Sequence, residues 1–210
     1  FAVFNPTRTH ESGMWPEKTP ETTFDPDDMV LPPTFPDTPK VREAMARMYT
    51  NIEKNDGVMG ELLDQLEEDG LAENTIVFHW SDHGPLPRGK RWPYASGIHV
   101  PMIVRWPGQL EPGTVNEQLV STIDLGPTVL SVTELDIPWH MQGQAFLGGA
   151  RVAAPERRRY NFTFRGRRGD GYDICRGALD RRWKYIRNYT PHVPVMQYNG
   201  YSWQIASYGV

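Results

Sequence analysis

A single cysteine, Cys175, excludes an internal disulfide framework and leaves the redox compartment open. No apolar run approaches the ~20 residues that a helix needs to cross a bilayer. Positive charge is not in excess: the net charge is −4, which argues against a dedicated nucleic-acid binder, although six arginines between Arg157 and Arg168 form a locally basic patch. There is no initiator Met, no charged leader and no cleavage site. The first residues, Phe1-Ala2-Val3-Phe4-Asn5, read instead as a strand. The expectation is a chain that opens inside a folded element, with an amino-terminal half missing from its sheet. Repeats and low-complexity stretches are absent too. What is present, 39% hydrophobic residues in 210, supports one large domain or a domain with a small appendage.

From Pro6 to Pro39 the chain is rich in Pro, Asp and Thr without periodicity, the pattern of a long ordered loop. Asp37-Thr38-Pro39 then supplies a cap and a proline for the first helical position. Val41, Met45, Met48, Tyr49 and Ile52 recur at helical spacing, and the helix is expected to run to Gly70 with a bend near Asn55-Asp56-Gly57. Ile76 to Trp80 reads as a buried parallel strand, Pro101 to Trp106 as a second strand, and Leu119 to Leu135 as a helix capped by Asp124. Pro-, Gly- and Ala-rich sequence follows. Short antiparallel strands are expected over 160–164, 172–179 and 183–187. The organisation is an α/β part over 1–140, a linker over 141–158 and a small α+β subdomain over 159–210.

The densest chemistry is Ser81-Asp82-His83-Gly84, directly after the apolar strand, followed by Gly89-Lys90. In open α/β sheets ligands bind beyond the carboxyl ends of strands. Asp and His are metal-ligand types, and a nearby Lys suits an anion as a compact point charge. Taken alone, Asp-His-Gly after a strand is also an ordinary turn, with Asp capping and Gly supplying backbone freedom.

The surrounding sequence decides between the two. Upstream stands Asp56-Gly57-Val58-Met59-Gly60 and its continuation to Thr75; downstream stand Arg91-Trp92-Pro93-Tyr94-Ala95-Ser96-Gly97-Ile98-His99-Val100-Pro101 and Ser121-Thr122-Ile123-Asp124-Leu125-Gly126-Pro127-Thr128. In this order the segments resemble the carboxyl-terminal half of a formylglycine-dependent sulfatase of the alkaline phosphatase superfamily. The likeness runs from about Phe1 to Tyr201 and is most similar to the heparan N-sulfatase-like branch. It implies a truncated alkaline phosphatase-like sandwich with a central, mostly parallel sheet, plus a small carboxyl-terminal antiparallel sheet subdomain.

The resemblance also assigns roles. Asp82 and His83 correspond to metal ligands; Ca²⁺ is the expected ion, with Zn or Mn open because His83 stands where many sulfatases carry Asn. Lys90 corresponds to the cation that contacts the sulfate, and His10, in Thr9-His10-Glu11-Ser12, to a histidine that faces it as a proton donor. Arg165, Asp173 and His192, with Arg167, Arg168 and Asp170, are candidates for contacts with sugar groups. His99 is read as an orienting or packing residue, His79 as a core residue and Cys175 as a small buried one. The Cys/Ser-x-Pro/Ala-x-Arg motif that yields formylglycine is absent from these residues, and the resemblance places the paired Asp metal ligands of the family's first strand upstream of Phe1. Both are expected in the missing half.

The implied activity is hydrolysis of sulfate esters or sulfamates of sulfated sugars or glycans by the full-length parent, the 210 residues alone being inactive. A periplasmic, extracellular or lysosomal compartment accompanies the resemblance. Neither nucleic acid nor a membrane span is expected as partner or anchor. Two alternatives stand beside this. One is a metal-dependent phosphodiesterase or phosphonate ester hydrolase of the same superfamily, although such enzymes usually place another His where Gly89-Lys90 lies. The other is a non-catalytic fragment that binds anionic glycans.

Overall fold

A computed structural model describes residues 1–85, 87, 89–148, 158–168, 171–195, 197, 198 and 200. Within it the chain forms two compact units. The first contains Phe1–Ser81 and Pro101–Leu110; the second contains Asp82–Val100 and Glu111–Asn199.

The first unit is built on helix α1, Pro39–Glu68, uninterrupted through Asn55-Asp56-Gly57 where a bend was expected. Thr38 caps it, its hydroxyl accepting from the Val41 N–H, and Pro39 takes the first turn where no donor is needed. Asp69 ends it, and Gly70 follows at φ 66°, the left-handed conformation that a glycine adopts without steric cost. Met45 and Ala46 on α1 are buried with Met29, and Phe24, Leu31, Phe35, Val41 and Met48 pack around them. The long loop thus supplies half of this core.

Polar side chains of α1 fasten the same loop. Thr50, fully buried, donates to the Ala46 carbonyl at 2.9 Å and accepts from the Thr23 N–H at 3.0 Å. The Asn51 amide donates to the Gly13 carbonyl at 3.0 Å and to Thr19 Oγ1 at 3.0 Å. Arg42 reaches the carbonyls of Asp27 and Met29, at 2.9 and 3.1 Å, from its ion pair with Asp37. Since buried backbone groups must find partners, these three residues give a loop whose regular structure is limited to two 3-10 turns, Glu11–Met14 and Pro26–Asp28, a definite course.

Strand β1, Val77–Trp80, pairs antiparallel with β2, Met102–Arg105, with Phe78 opposite Val104. The parallel pairing expected of the first strand is therefore not seen among the described residues, and β1 is half-buried, ending at an exposed Trp80. Phe1–Asn5 does not form a strand: with no ladder partner among the described residues the run stays irregular, and Phe1, Val3 and Phe4 are exposed. No helix among the described residues is long and apolar enough to cross a membrane.

The second unit holds α2, Ala95–Ile98, α3, Leu125–Val132, and a three-stranded antiparallel sheet in the order β3 (Asn161–Arg168), β4 (Gly171–Leu179), β5 (Lys184–Asn188). Asp124 does not cap α3 through its side chain as expected. It is 2% exposed, and its carboxylate instead accepts from the N–H groups of Ser121 and Gln144 and pairs with Arg158. The expected helix over 119–135 is shorter than read: 119–121 are not helical, a short 3-10 turn covers Thr122–Asp124, and Asp124 stands at its junction with α3. Much of the expected linker, 149–157, and Asp170 lie outside the described residues, as does the side chain of Arg168.

Candidate active site

Asp82 opens the second unit, two residues after the end of β1. The loop that follows is shaped by three glycines. A Cβ on Gly84 would stand 2.4 Å from the Ser96 carbonyl oxygen, one on Gly89 2.3 Å from the same atom, and one on Gly97 2.3 Å from the Gly89 carbonyl. Real side chains do not approach backbone this closely, so only glycine lets these strands of loop touch. The Gly84 N–H donates to the Gly97 carbonyl at 3.0 Å and completes the knot. Asp82-His83 and the 3-10 turn Gly89–Arg91, which carries Lys90, are thereby tied to one backbone segment at Ser96-Gly97.

The two ligand candidates are neighbours in sequence and in space. His83 Nδ1 lies 2.9 Å from the Gly84 carbonyl oxygen. A carbonyl can only accept, so Nδ1 carries a proton, and in the neutral tautomer the lone pair lies on Nε2, the arrangement typical of metal-ligating imidazoles. Nε2 is 3.7 Å from Asp82 Oδ1, and the Asp82 carboxylate is 88% exposed. One carboxylate and one imidazole at this spacing fit part of a divalent-cation site. Among the described residues no group of three or more His, Cys, Asp or Glu forms a complete one.

His10 belongs to the first unit. It caps the 3-10 turn Glu11–Met14: the Ser12 N–H donates to Nδ1 at 3.3 Å, and the Ser12 hydroxyl is 2.9 Å from the same atom. With Nδ1 accepting, the neutral ring carries its proton on Nε2. His10 is exposed in this turn.

Arg165 and Asp173 face each other on the small sheet. Between Arg165, opposite Cys175, and Arg167, opposite Tyr172, β4 advances three residues while β3 advances two, a bulge that carries Asp173 to the side of Arg165. The pair is buried, with Nη1 and Oδ2 3.2 Å apart, and Asp173 also accepts from the Thr190 hydroxyl at 2.9 Å. The Arg165 guanidinium lies over the Trp92 ring, 4.0 Å from its centroid. His192 is exposed in the turn after Thr190, His99 is exposed, His79 is half-buried in β1, and Cys175 is buried. Trp92 and the Ser96-Gly97 backbone were not singled out for function from sequence. The spacing of Gly84, Gly89 and Gly97 was a usable signal for the knot; nothing in the sequence linked Trp92 with Arg165.

The sulfatase family profile matches residues 1–135. The chain belongs to the sulfatase family. A second profile, N-sulphoglucosamine sulphohydrolase, C-terminal, matches residues 83–197 and so spans the glycine-tied loop and the small sheet together. An ulvan-active sulfatase of Formosa agariphila is 38% identical over 91% of this chain and 38% of its own length. Human N-sulphoglucosamine sulphohydrolase is 36% identical over 61% of this chain and 26% of its own. The chain thus spans well under half the length of these relatives. Among solved structures, a protein in complex with its substrate D-glucosamine-2-N,6-O-disulfate superposes with a TM-score of 0.58 at 21% identity, covering 73% of this chain and 33% of that one. A phosphonate monoester hydrolase from Silicibacter pomeroyi gives 0.56 at 21% identity, covering 89% and 43%. The α/β fold is that of alkaline phosphatase-like sulfatases.

Proposed function

We propose that the full-length protein carrying this chain is a sulfatase that hydrolyses sulfate esters or sulfamates of sulfated sugars. The observation that carries the reading is the glycine knot, which ties a carboxylate–imidazole pair and a lysine to one rigid loop in a sulfatase sequence. The names of the relatives, ulvan-active sulfatase and N-sulphoglucosamine sulphohydrolase, support a sulfated glycan as substrate class.

Asp82 Oδ1 and His83 Nε2 are the atoms that would hold a divalent cation, Ca²⁺ in first place and Zn or Mn as the alternatives that an imidazole suits. Such a cation supplies charge stabilisation at a sulfate oxygen. Lys90 would hold a sulfate oxygen by charge and hydrogen bonding as negative charge builds toward the leaving oxygen. His10, with its proton on Nε2, is the candidate donor to that leaving oxygen. Arg165, Asp173 and His192 remain candidates for the sugar-facing side. A formylglycine nucleophile and the remaining metal ligands come, in this reading, from sequence outside the 210 residues, which contain no Cys/Ser-x-Pro/Ala-x-Arg motif.

The likeness to a phosphonate monoester hydrolase keeps a second reading, phosphonate or phosphodiester hydrolysis. Both are tested by assaying the full-length protein with an aryl sulfate, a sulfated glucosamine and an aryl phosphonate, each with and without Lys90→Ala. The proposal expects sulfate turnover that Lys90→Ala lowers by about 10²- to 10³-fold. Turnover of the phosphonate alone would transfer the chain to the second reading, and a Lys90→Ala variant within about threefold of the parent would remove Lys90 from the site.

A further inference from the structure

The turn that carries Lys90, Gly89–Arg91, is three residues long. A 3-10 turn of that length has too few hydrogen bonds to fix its own direction. Trp92 closes it, donating its N–H to the Gly89 carbonyl at 3.0 Å, while the Trp92 carbonyl oxygen would stand 2.4 Å from a Cβ on Gly97. The backbone on both sides of the Trp92 side chain is therefore clamped, and any force on the ring is transmitted to the turn. The Arg165 guanidinium supplies such a contact, 4.0 Å from the ring centroid.

Arg165 is 9% exposed and Asp173 6%, and the two are ion-paired. Buried ion pairs contribute little net stability, because desolvation offsets the attraction. The hydrogen bonding of this one is incomplete as well: Nε and Nη1 of Arg165 are buried and make no hydrogen bond. Hydrogen bonding therefore does not by itself fix where the guanidinium sits, and the ion pair with Asp173 holds it from one side only. Its central carbon lies over the Trp92 ring, 4.0 Å from the centroid, and a planar, weakly hydrated cation packs on an indole in a way that an ammonium does not.

We infer that Arg165 is a positioning residue which, held by Asp173, packs on Trp92 and so sets the place of the Lys90 ammonium. The inference rests on the reading of Lys90 as a sulfate-binding cation. It moves Arg165 from touching the substrate to acting through Lys90.

A double-mutant cycle in the full-length protein tests it, with kcat and KM measured on an aryl sulfate, a substrate without a second sugar for the small sheet to contact. Arg165→Lys keeps the charge opposite Asp173 and loses the planar stack. It is expected to lower kcat/KM about 10- to 100-fold, the effect of a catalytic group displaced by about an ångström. In a Lys90→Ala background the same change should cost less than about twofold, since the group it positions is already gone. Trp92→Leu should behave as Arg165→Lys does, and Trp92→Phe, which keeps a ring, should lose less than Trp92→Leu. Equal losses from Arg165→Lys in both backgrounds would show an independent role and overturn the inference, and so would parent-like kinetics in both Arg165→Lys and Trp92→Leu. Should Lys90→Ala itself leave turnover intact, the reading of the site fails and the inference with it, a result distinct from the other two. If Arg165→Lys does not fold, the Trp92 pair carries the same cycle.

Discussion

The carbonyl oxygen of Ser96 stands 2.4 Å from the place a Cβ on Gly84 would take. Gly84→Ala therefore has to push the Asp82-His83 segment off the Ser96-Gly97 backbone. Overpacking against backbone of this kind costs about 1–3 kcal/mol. Gly60 provides the contrast: it lies inside α1 and a Cβ there meets nothing within 4 Å. Gly60→Ala should stabilise by about 0.5–1 kcal/mol through backbone entropy. Urea denaturation of the two variants should move the midpoint in opposite directions; a Gly84→Ala midpoint equal to the parent's would mean the knot is loose.

At the end of β4 the Asp180 carboxylate accepts from the N–H groups of Arg182 and Trp183, at 2.7 and 2.5 Å, and this holds its pKa below the usual carboxylate value. A pKa depressed on folding contributes stability that is fully present above the unfolded value of about 3.9 and is lost as pH falls through the lower folded value. Asp180→Asn keeps the acceptor oxygen and removes the charge. The melting temperature of the parent should exceed that of Asp180→Asn at pH 7, and the gap should close as pH falls below about 3.9. A gap that does not change with pH would show that the charge adds nothing to the turn.

His10 caps a turn through Nδ1, and the proposed reaction would use Nε2 of the same ring as a donor. Asn is among the best cap residues and has no group where Nε2 lies. His10→Asn should leave the melting temperature close to the parent's while lowering turnover of a sulfated substrate in the full-length protein by about 10²- to 10⁴-fold, with a changed pH–rate profile. Parent-like turnover and profile would confine His10 to capping.

Much of this architecture is legible in local sequence. Thr38-Pro39 and Gly70 mark the ends of α1 because capping and left-handed turns depend on the residue at one position. The strands of the small sheet announce themselves by β-rich runs, although β5 is displaced by one residue from the expected 183–187 and β3 runs to Arg168, past the expected end at 164. The Asp82-His83 pair and Lys90 are visible because the sulfatase motif is contiguous. What the sequence hides is partnership. Phe1–Asn5 has a strand's composition, yet a strand exists only when another pairs with it. The direction of the β1–β2 pairing is likewise not written in either strand. The Arg165–Trp92 stack joins residues far apart in the chain, and the bulge that brings Asp173 to Arg165 is a register event without a local signature.

Cys175 is the only thiol in the chain, and it lies buried on the inward side of β4, beside Asp173. Burial, then the neighbouring carboxylate, pushes its pKa up, so the thiolate that alkylating reagents need is scarce as long as the strand stays packed. Native-state opening of β4 is thus the event that sets the labelling rate. The small sheet carries its own clock: modification of Cys175 follows excursions of that strand, with no competing cysteine among these 210 residues.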